Sequence, residues 1–384
     1  MCQSRLSCFE RELRIAKHYR TAASLHSHSH HSKEGLQFIP QFAEKYPLLK
    51  WALRRQCSKA AIPVDFDRAY WTPPLSAEMA LQVEKGQIEN GLGLGSLVSL
   101  TDHDTIEGPL LLRALPDTKQ VPISLEWSVP FSGTVFHLGV HNLPAQSAQA
   151  ITTDLASFTK DPCENRLTEL LSALSEYPDV LVVFNHPLWD QSETGKARHE
   201  QAVVQFVETN GRFVHAIEIN ATRGWCENGR VRDMAEKWEL PCVSGGDRHG
   251  CNPSSALNLT NAQTFPELVH EIRNEGRSHV LMMPQYAEPR CMRITEMLLD
   301  VIREYPDHPI GMRRWDNRVF HPGRSTDADL PVSTLWGTPP AFIEVVFSVL
   351  RLLENSAVKN ALTQAMPREE VSRVATDISY EASS

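Results

Sequence analysis

A barrel-like α/β domain over roughly residues 20–285 is predicted from three features of the sequence. Short apolar runs rich in β-branched residues recur along the chain, and they suit buried strands better than helices. Helical patterns separate many of them, which implies βα units and a mainly parallel sheet. Several runs end in a polar or ionisable cluster, and the carboxyl ends of strands are where barrel enzymes keep their chemistry.

The first run, 21–25, leads into His26. The second, 96–100, leads towards Asp102, His103 and Asp104, and a third, 121–125, into Glu126. Residues 135–140 contain His137, 180–184 run into Asn185 and His186, and 216–219 into Asn220. Residues 241–244 pass through Gly245 and Gly246 into Asp247, Arg248 and His249, and a last run spans 279–283. Between them, Ser76 is placed to cap a helix through Met79, Leu81 and Val83 that ends near Gly91. Residues 165–177 carry Leu167, Leu170, Leu171 and Leu174 on one face. Segments 201–207, 229–238 and 266–274 read the same way. Residues 1–20 are read as an N-terminal extension, and 36–74, which have no clean period, as an insertion forming a lid. Residues 286–384 are read as a helical extension, with helices near 295–303 and 342–353 and a frayed tail from 368.

The chain has 384 residues, with 38 Lys and Arg against 47 Asp and Glu, a formal charge of −9. That balance argues against a dedicated binder of duplex DNA, which needs a basic face to release counterions. It leaves room for a local basic pocket that takes one phosphate. Hydrophobic residues at 41% and charged residues at 22% exclude a disordered scaffold. No run of about 18 apolar residues exists to cross a membrane, and the first twenty residues lack the apolar core of a secretory signal. The eight cysteines are scattered, with no Cys-x-x-Cys pair, which reads as reduced thiols in a cytoplasmic protein.

The strand-end clusters carry the chemistry. His26 and His28 alternate, so on a strand both imidazoles share a face and can address one ion; a histidine-rich surface loop is the plainer reading. Asp102, His103 and Asp104 form either a site or an Asp-rich turn that caps the next helix. His186 reads as a ligand or a structural histidine, and Glu126 as a site carboxylate or the partner of a nearby cation. Asp247 and His249 again share one face, after two glycines that permit close backbone approach. Taken together, His26, His28, His103, His137, His186, His249, Glu126 and Asp247 exceed one ion's needs. Mixed imidazole and carboxylate donors suit Zn²⁺, Mn²⁺ or Fe²⁺, and more than one ion is expected.

The segments LHSHSHHSKEG, LTDHDTIEG, SLEWS, FHLG, NHPLW and GGDRHG resemble, over residues 21–285, the PHP family, named for polymerase and histidinol phosphatase. The resemblance implies a distorted (β/α)7 TIM-like barrel with two to three divalent ions (Mn, Zn or Fe) at the strand ends. It implies that His26 and His28 hold one ion with Glu126 and Asp247. Glu126 would bridge to a second held by His137 and His186. A third would be held by His103 and His249 with an acidic residue of the SKEG segment, Glu34, or else by His31 in its place. Glu126, Asp247 and His249 become the catalytic residues. The chain departs from the family pattern at Ser24, at Lys33-Glu34, at Arg248 and in the length of 36–74.

A phosphate needs positive charge beyond the metals, and the arginine fork fits it best. Arg223, at the same strand end as Asn220, is the preferred phosphate ligand; Arg248 is the second, although alternation also fits a salt bridge there. Lys33 and Arg277 are weaker candidates, and Trp127, Trp189 and Trp225 follow site motifs closely enough to stack on a ring or to pack the edge of the fold. The expected activity is metal-dependent hydrolysis of a phosphate ester in a small substrate. The family resemblance favours a nucleoside 3′,5′-bisphosphate or a short single-stranded oligonucleotide. Histidinol phosphate is the alternative substrate, and a non-catalytic metal-binding module is the alternative class. Neither a membrane nor duplex DNA is an expected partner.

Overall fold

A computed structural model of the chain describes residues 3–8, 13–44, 65–322 and 329–336, with single positions within 47–55 and 347–361. Strands and helices form a mixed α/β architecture on three sheets. One five-stranded sheet has the order Gln3–Cys8, Arg277–Met282, Ala256–Thr260, Thr21–Ser24, Gly95–Val98. The other has the order Cys242–Gly245, Ala216–Asn220, Leu181–Asn185, Thr134–His141, Leu125–Phe131. Every position of Thr21–Ser24, Leu181–Asn185, Ala216–Asn220 and Cys242–Gly245 is buried. Strands covered on both faces read as continuous apolar runs, which is why they are visible in the sequence.

Two expectations change. Among the described residues no sheet closes into a barrel; in place of the expected (β/α)7 TIM-like barrel stand two five-stranded sheets, joined edge to edge at one seam and, at the other, the edge strand Cys242–Gly245 to the middle strand Ala256–Thr260. The sheets are also mixed rather than mainly parallel. The reason is local: Ser132 and Gly133, with φ of 49° and 81°, turn Leu125–Phe131 straight back into Thr134–His141. Two left-handed residues in a two-residue loop make an antiparallel hairpin where a parallel pair would need a helical crossover. Ala256–Thr260, not predicted because Asn258 breaks its apolar run, lies antiparallel to both Thr21–Ser24 and Arg277–Met282. At one seam between the sheets, Glu126 N donates to Asp102 O at 3.2 Å and Asp104 N to Glu126 O at 2.9 Å. At the other, the Asn258 amide accepts from Ser244 N at 3.0 Å and donates to Ser244 Oγ at 2.7 Å.

Residues 3–8, expected in an extension, pair in parallel with Arg277–Met282. Helix Glu164–Ser175 buries Leu167, Leu170, Leu171 and Leu174, as its period predicts. Helix Ala77–Gly86 is capped by Ser76, whose Oγ accepts from Met79 N at 3.2 Å. Helix Phe265–Arg273 begins in a capping box between Thr264 and Glu267, with Pro266 in its first turn. Helix Ala148–Lys160 is an addition to the sequence reading. No helix among the described residues is long and apolar enough to cross a membrane.

The third sheet joins segments remote in sequence, in the order Asp329–Pro331, Val319–Pro322, Tyr70–Trp71, Glu34–Gly35. It explains how 36–74 and the C-terminal region reach the site: Glu34–Gly35, just before the insertion, pairs with Tyr70–Trp71 near its end, and a C-terminal strand pairs with Tyr70–Trp71 from the other side. The C-terminal region is therefore part strand, beside helix Arg290–Ile302. Most of 45–64, most of the helix expected at 342–353 and the tail from 368 lie outside the described residues.

Two histidines away from the site set the acid limb of stability. Burial lowers His215 to about 3 and His279 to about 4. Neutral His215 Nδ1 accepts from Val182 N at 2.9 Å, and His279 lies 2.7 Å from both Ser7 Oγ and Tyr19 OH. Neutrality is favoured in the fold, so this stability is complete above pH ~6.5 and drains away as pH falls towards those folded values. Each histidine should remove about 2 kcal/mol between pH 7.5 and 5. Urea unfolding at the two pH values checks this, and equal midpoints would refute it.

Candidate metal centre

All nine predicted ligands meet in one buried cluster, each within 3.9 Å of another through an imidazole nitrogen and a carboxylate oxygen. Glu126 is its hub. Its Oε2 lies 3.1 Å from His26 Nε2 and 3.4 Å from both His28 Nε2 and His103 Nε2. Its Oε1 lies 3.1 Å from His186 Nε2 and 3.4 Å from His137 Nδ1, and accepts from Asn185 Nδ2 at 2.9 Å. Burial alone would raise the Glu126 carboxyl, but His26, His103 and His137 hold it well below the usual range.

Asp247 closes the second side of the cluster. Its Oδ1 faces His249 Nδ1 at 3.5 Å, His28 Nε2 at 3.7 Å and His26 Nε2 at 3.9 Å. Its Oδ2 accepts from Thr222 Oγ1 at 3.1 Å and Asn220 Nδ2 at 3.3 Å, with Arg223 Nη2 at 3.7 Å. Asp247 and His186 both hold left-handed backbone, φ 47° and 25°, which non-glycine residues keep only where surroundings enforce it. The glycine before Asp247 is required by space: a Cβ on Gly246 would stand 2.8 Å from His26 O.

Glu34 completes the third side, with Oε1 3.2 Å from His249 Nε2 and Oε2 3.3 Å from His103 Nε2. Of the two candidates, Glu34 is the one that stands among the other donors. His31 turns away, its Nε2 3.0 Å from His30 Nε2 and its Nδ1 3.2 Å from Glu107. Asp102 accepts from Ser29 N and Ser29 Oγ, shaping the histidine loop, and Asp104 accepts from Ser128 N. Neither carboxylate belongs to the groups of donors that converge in the cluster.

The donor set fits divalent cations. Glu126 Oε2 and His137 Nδ1 are buried without a hydrogen-bond partner, and an orphaned buried polar atom is costly. His26 Nε2 faces His28 Nε2 at 3.1 Å. Burial, then the neighbouring Glu126, settle His137 at about 4, a neutral ring with a lone pair to give, whereas Glu34 and Glu126 overcome burial to raise His103 to about 10. Four overlapping groups of donors converge within 4.8 Å: His28, Glu34, His103 and His249; His26, Glu126 and His186; His26, His28 and Asp247; His103, Glu126 and His137. Overlapping nitrogen and oxygen donors of this kind suit divalent metal binding.

Glu218 is the main residue that sequence reasoning missed. Its Oε2 lies 2.6 Å from His26 Nδ1, which turns His26 Nε2 towards the cluster, and its Oε1 accepts from Asn220 Nδ2 at 2.6 Å. The signal was present: Glu218 and Asn220 alternate on one face of an otherwise apolar strand. Trp71, also missed, stands beside His249 with ring centroids 5.7 Å apart.

The cationic candidates separate. Arg223 is brought to the cluster: it is 9% exposed, stacks 4.4 Å from the Trp189 ring, and its Nε has no hydrogen-bond partner. Arg248 is not. Its guanidinium points away from Asp247 and His249 and is consumed by Glu84, Gly250 O and His28 O, which corrects its reading as a phosphate ligand. The physical reason is the buried carboxylate of Glu84, which takes Nε while two backbone carbonyls take the rest of the fork. Lys33 lies over Tyr70 beside Asp329, and Arg277 pairs with Glu275. Trp127 is wholly buried in the core, donating to Leu155 O, and Trp225 packs edge-on to Tyr286; only Trp189 of the three flanks the ligands.

No family model and no curated protein matches the chain. Solved structures show distant likeness. PsfC from Pseudomonas syringae PB-5123 matches with a TM-score of 0.37 and 16% identity, over 56% of this chain and 86% of that one. A protein from Bifidobacterium adolescentis, provisionally assigned as a metal-dependent phosphoesterase, matches with a TM-score of 0.31 and 15% identity, over 54% and 92%. An amidohydrolase from Chromobacterium violaceum with bound sulfate and no metal matches with a TM-score of 0.30 and 13% identity, over 46% and 82%.

Proposed function

We propose that this chain is a metal-dependent phosphoesterase of the PHP family, acting on a small phosphorylated substrate. The preferred class is a nucleoside 3′,5′-bisphosphate or a short single-stranded oligonucleotide. The observation that carries the reading is one buried carboxylate, Glu126, shared by five imidazoles, with a buried arginine at the edge of the same cluster. Divalent ions held by the nine ligands would supply Lewis acidity towards phosphoryl oxygens and an activated water at neutral pH.

The chain's own residues supply the rest. Arg223 offers its fork to the phosphate oxygens, held in place by Trp189 on one side and Asp247 on the other. Asn220, Thr222 and Arg223 occupy Asp247 Oδ2 and leave Oδ1 turned inward. His249 Nδ1 lies 3.1 Å from Asp247 O, so a proton on Nδ1 donated to that carbonyl leaves Nε2 turned into the cluster as a donor. Glu218 keeps the His26 tautomer that aims Nε2 inward.

Phosphate release from adenosine 3′,5′-bisphosphate with added Mn²⁺, run beside histidinol phosphate, tests the proposal. Fast, chelator-sensitive release from the bisphosphate is the expected result. Release from histidinol phosphate alone would move the chain to amino-acid metabolism. Bound metal with neither substrate hydrolysed would overturn the substrate class.

A further inference from the structure

Glu84 lies outside the ligand set, yet touches the segments that carry it. It sits near the end of helix Ala77–Gly86 and is fully buried. Its Oε2 accepts from Ser24 Oγ at 3.0 Å, two residues before His26. Its Oε1 accepts from Arg248 Nε at 2.9 Å, between Asp247 and His249. Both oxygens lie 3.2 Å from Ser254 N, just beyond that loop.

Arg248 spends its remaining donors on the same job. Its Nη1 donates to Gly250 O at 2.6 Å and its Nη2 to His28 O at 3.2 Å, while its own carbonyl accepts from His28 N at 3.0 Å. A buried ion pair is a poor means of adding stability, because the desolvation of both charges offsets their attraction. Fixing the register between two segments is the better-attested use.

We propose that Glu84 and Arg248 are positioning residues that lock the segment of His26 and His28 against the segment of Asp247 and His249, and so set metal affinity. The inference rests on the metal-centre reading above. Two variants test it by Mn²⁺ titration calorimetry and by thermal unfolding in chelator. Arg248→Lys keeps the charge beside Glu84 but cannot reach three acceptors with one ammonium. Glu84→Gln with Arg248→Met removes both charges together, so no ion is left buried alone.

Both variants should bind Mn²⁺ at least about 10-fold more weakly, the lower end of what outer-shell partners are worth, while unfolding in chelator near the wild-type temperature. Wild-type affinity in Arg248→Lys would overturn the positioning role, since a pair needed only for charge balance survives that change. If the double variant does not fold, Arg248→Lys decides alone. Wild-type protein that takes up no Mn²⁺ would defeat the metal centre and this inference with it; bound wild type with unaltered variants would defeat the positioning role only.

Discussion

Glu126→Ala should abolish turnover and strip metal from the chain. Both oxygens of this carboxylate lie within 3.4 Å of imidazole nitrogens from five histidines, so its removal leaves those rings with no shared anion. Outer-shell partners of a metal are worth about 10–100-fold in affinity, and the loss of a shared direct ligand should exceed that. Glu126→Gln keeps the volume and the contact with Asn185 while deleting the charge, so it separates ligand loss from a cavity. Metal content by elemental analysis, read beside phosphate release, should fall in both variants. Full activity in Glu126→Ala would refute the shared-ligand assignment.

Arg223→Met should lower kcat/KM towards a phosphorylated substrate by about 10–100-fold, measured with the metal sites saturated so that any loss of metal affinity through Asp247 is kept apart. Hydrogen bonds to charged groups contribute about 1.5–3 kcal/mol, which corresponds to that range. Methionine preserves much of the apolar contact with Trp189, so the packing beneath the guanidinium survives. The loss should persist at saturating Mn²⁺, where a role through Asp247 alone would be rescued. Steady-state kinetics with an unaltered kcat/KM would show that Arg223 serves the fold through Asp247 and Trp189 and does not meet the phosphate.

The ligands were legible because chemistry-bearing residues punctuate buried strands. His26, Glu126, His186 and Asp247 each follow an apolar run whose direction tells where they gather, and alternation pairs His26 with His28 and Asp247 with His249. The supporting residues were less legible. Glu218 interrupts an apolar strand and could have been read from that alone, whereas Glu84 sits in an amphipathic helix where a glutamate reads as solvent-facing. Its burial follows from Arg248, 164 residues away, and no local pattern contains that information.

By itself the sequence determined most of the buried strands, several of the helices between them, and that eight residues, His26, His28, His103, Glu126, His137, His186, Asp247 and His249, stand at or beside strand ends. These follow from period, burial and strand-end position, all of which are local. The tertiary structure alone decided three matters: that the sheets are mixed and unclosed, that Glu34 and not His31 joins the cluster, and that Arg223 and not Arg248 faces it. The first turns on a short hairpin that periodicity does not reveal, the other two on contacts across the chain. The Ser132-Gly133 turn folds one strand back on its neighbour, Tyr70–Trp71 pairs with Glu34–Gly35, and Glu84 draws Arg248 away from the ligands.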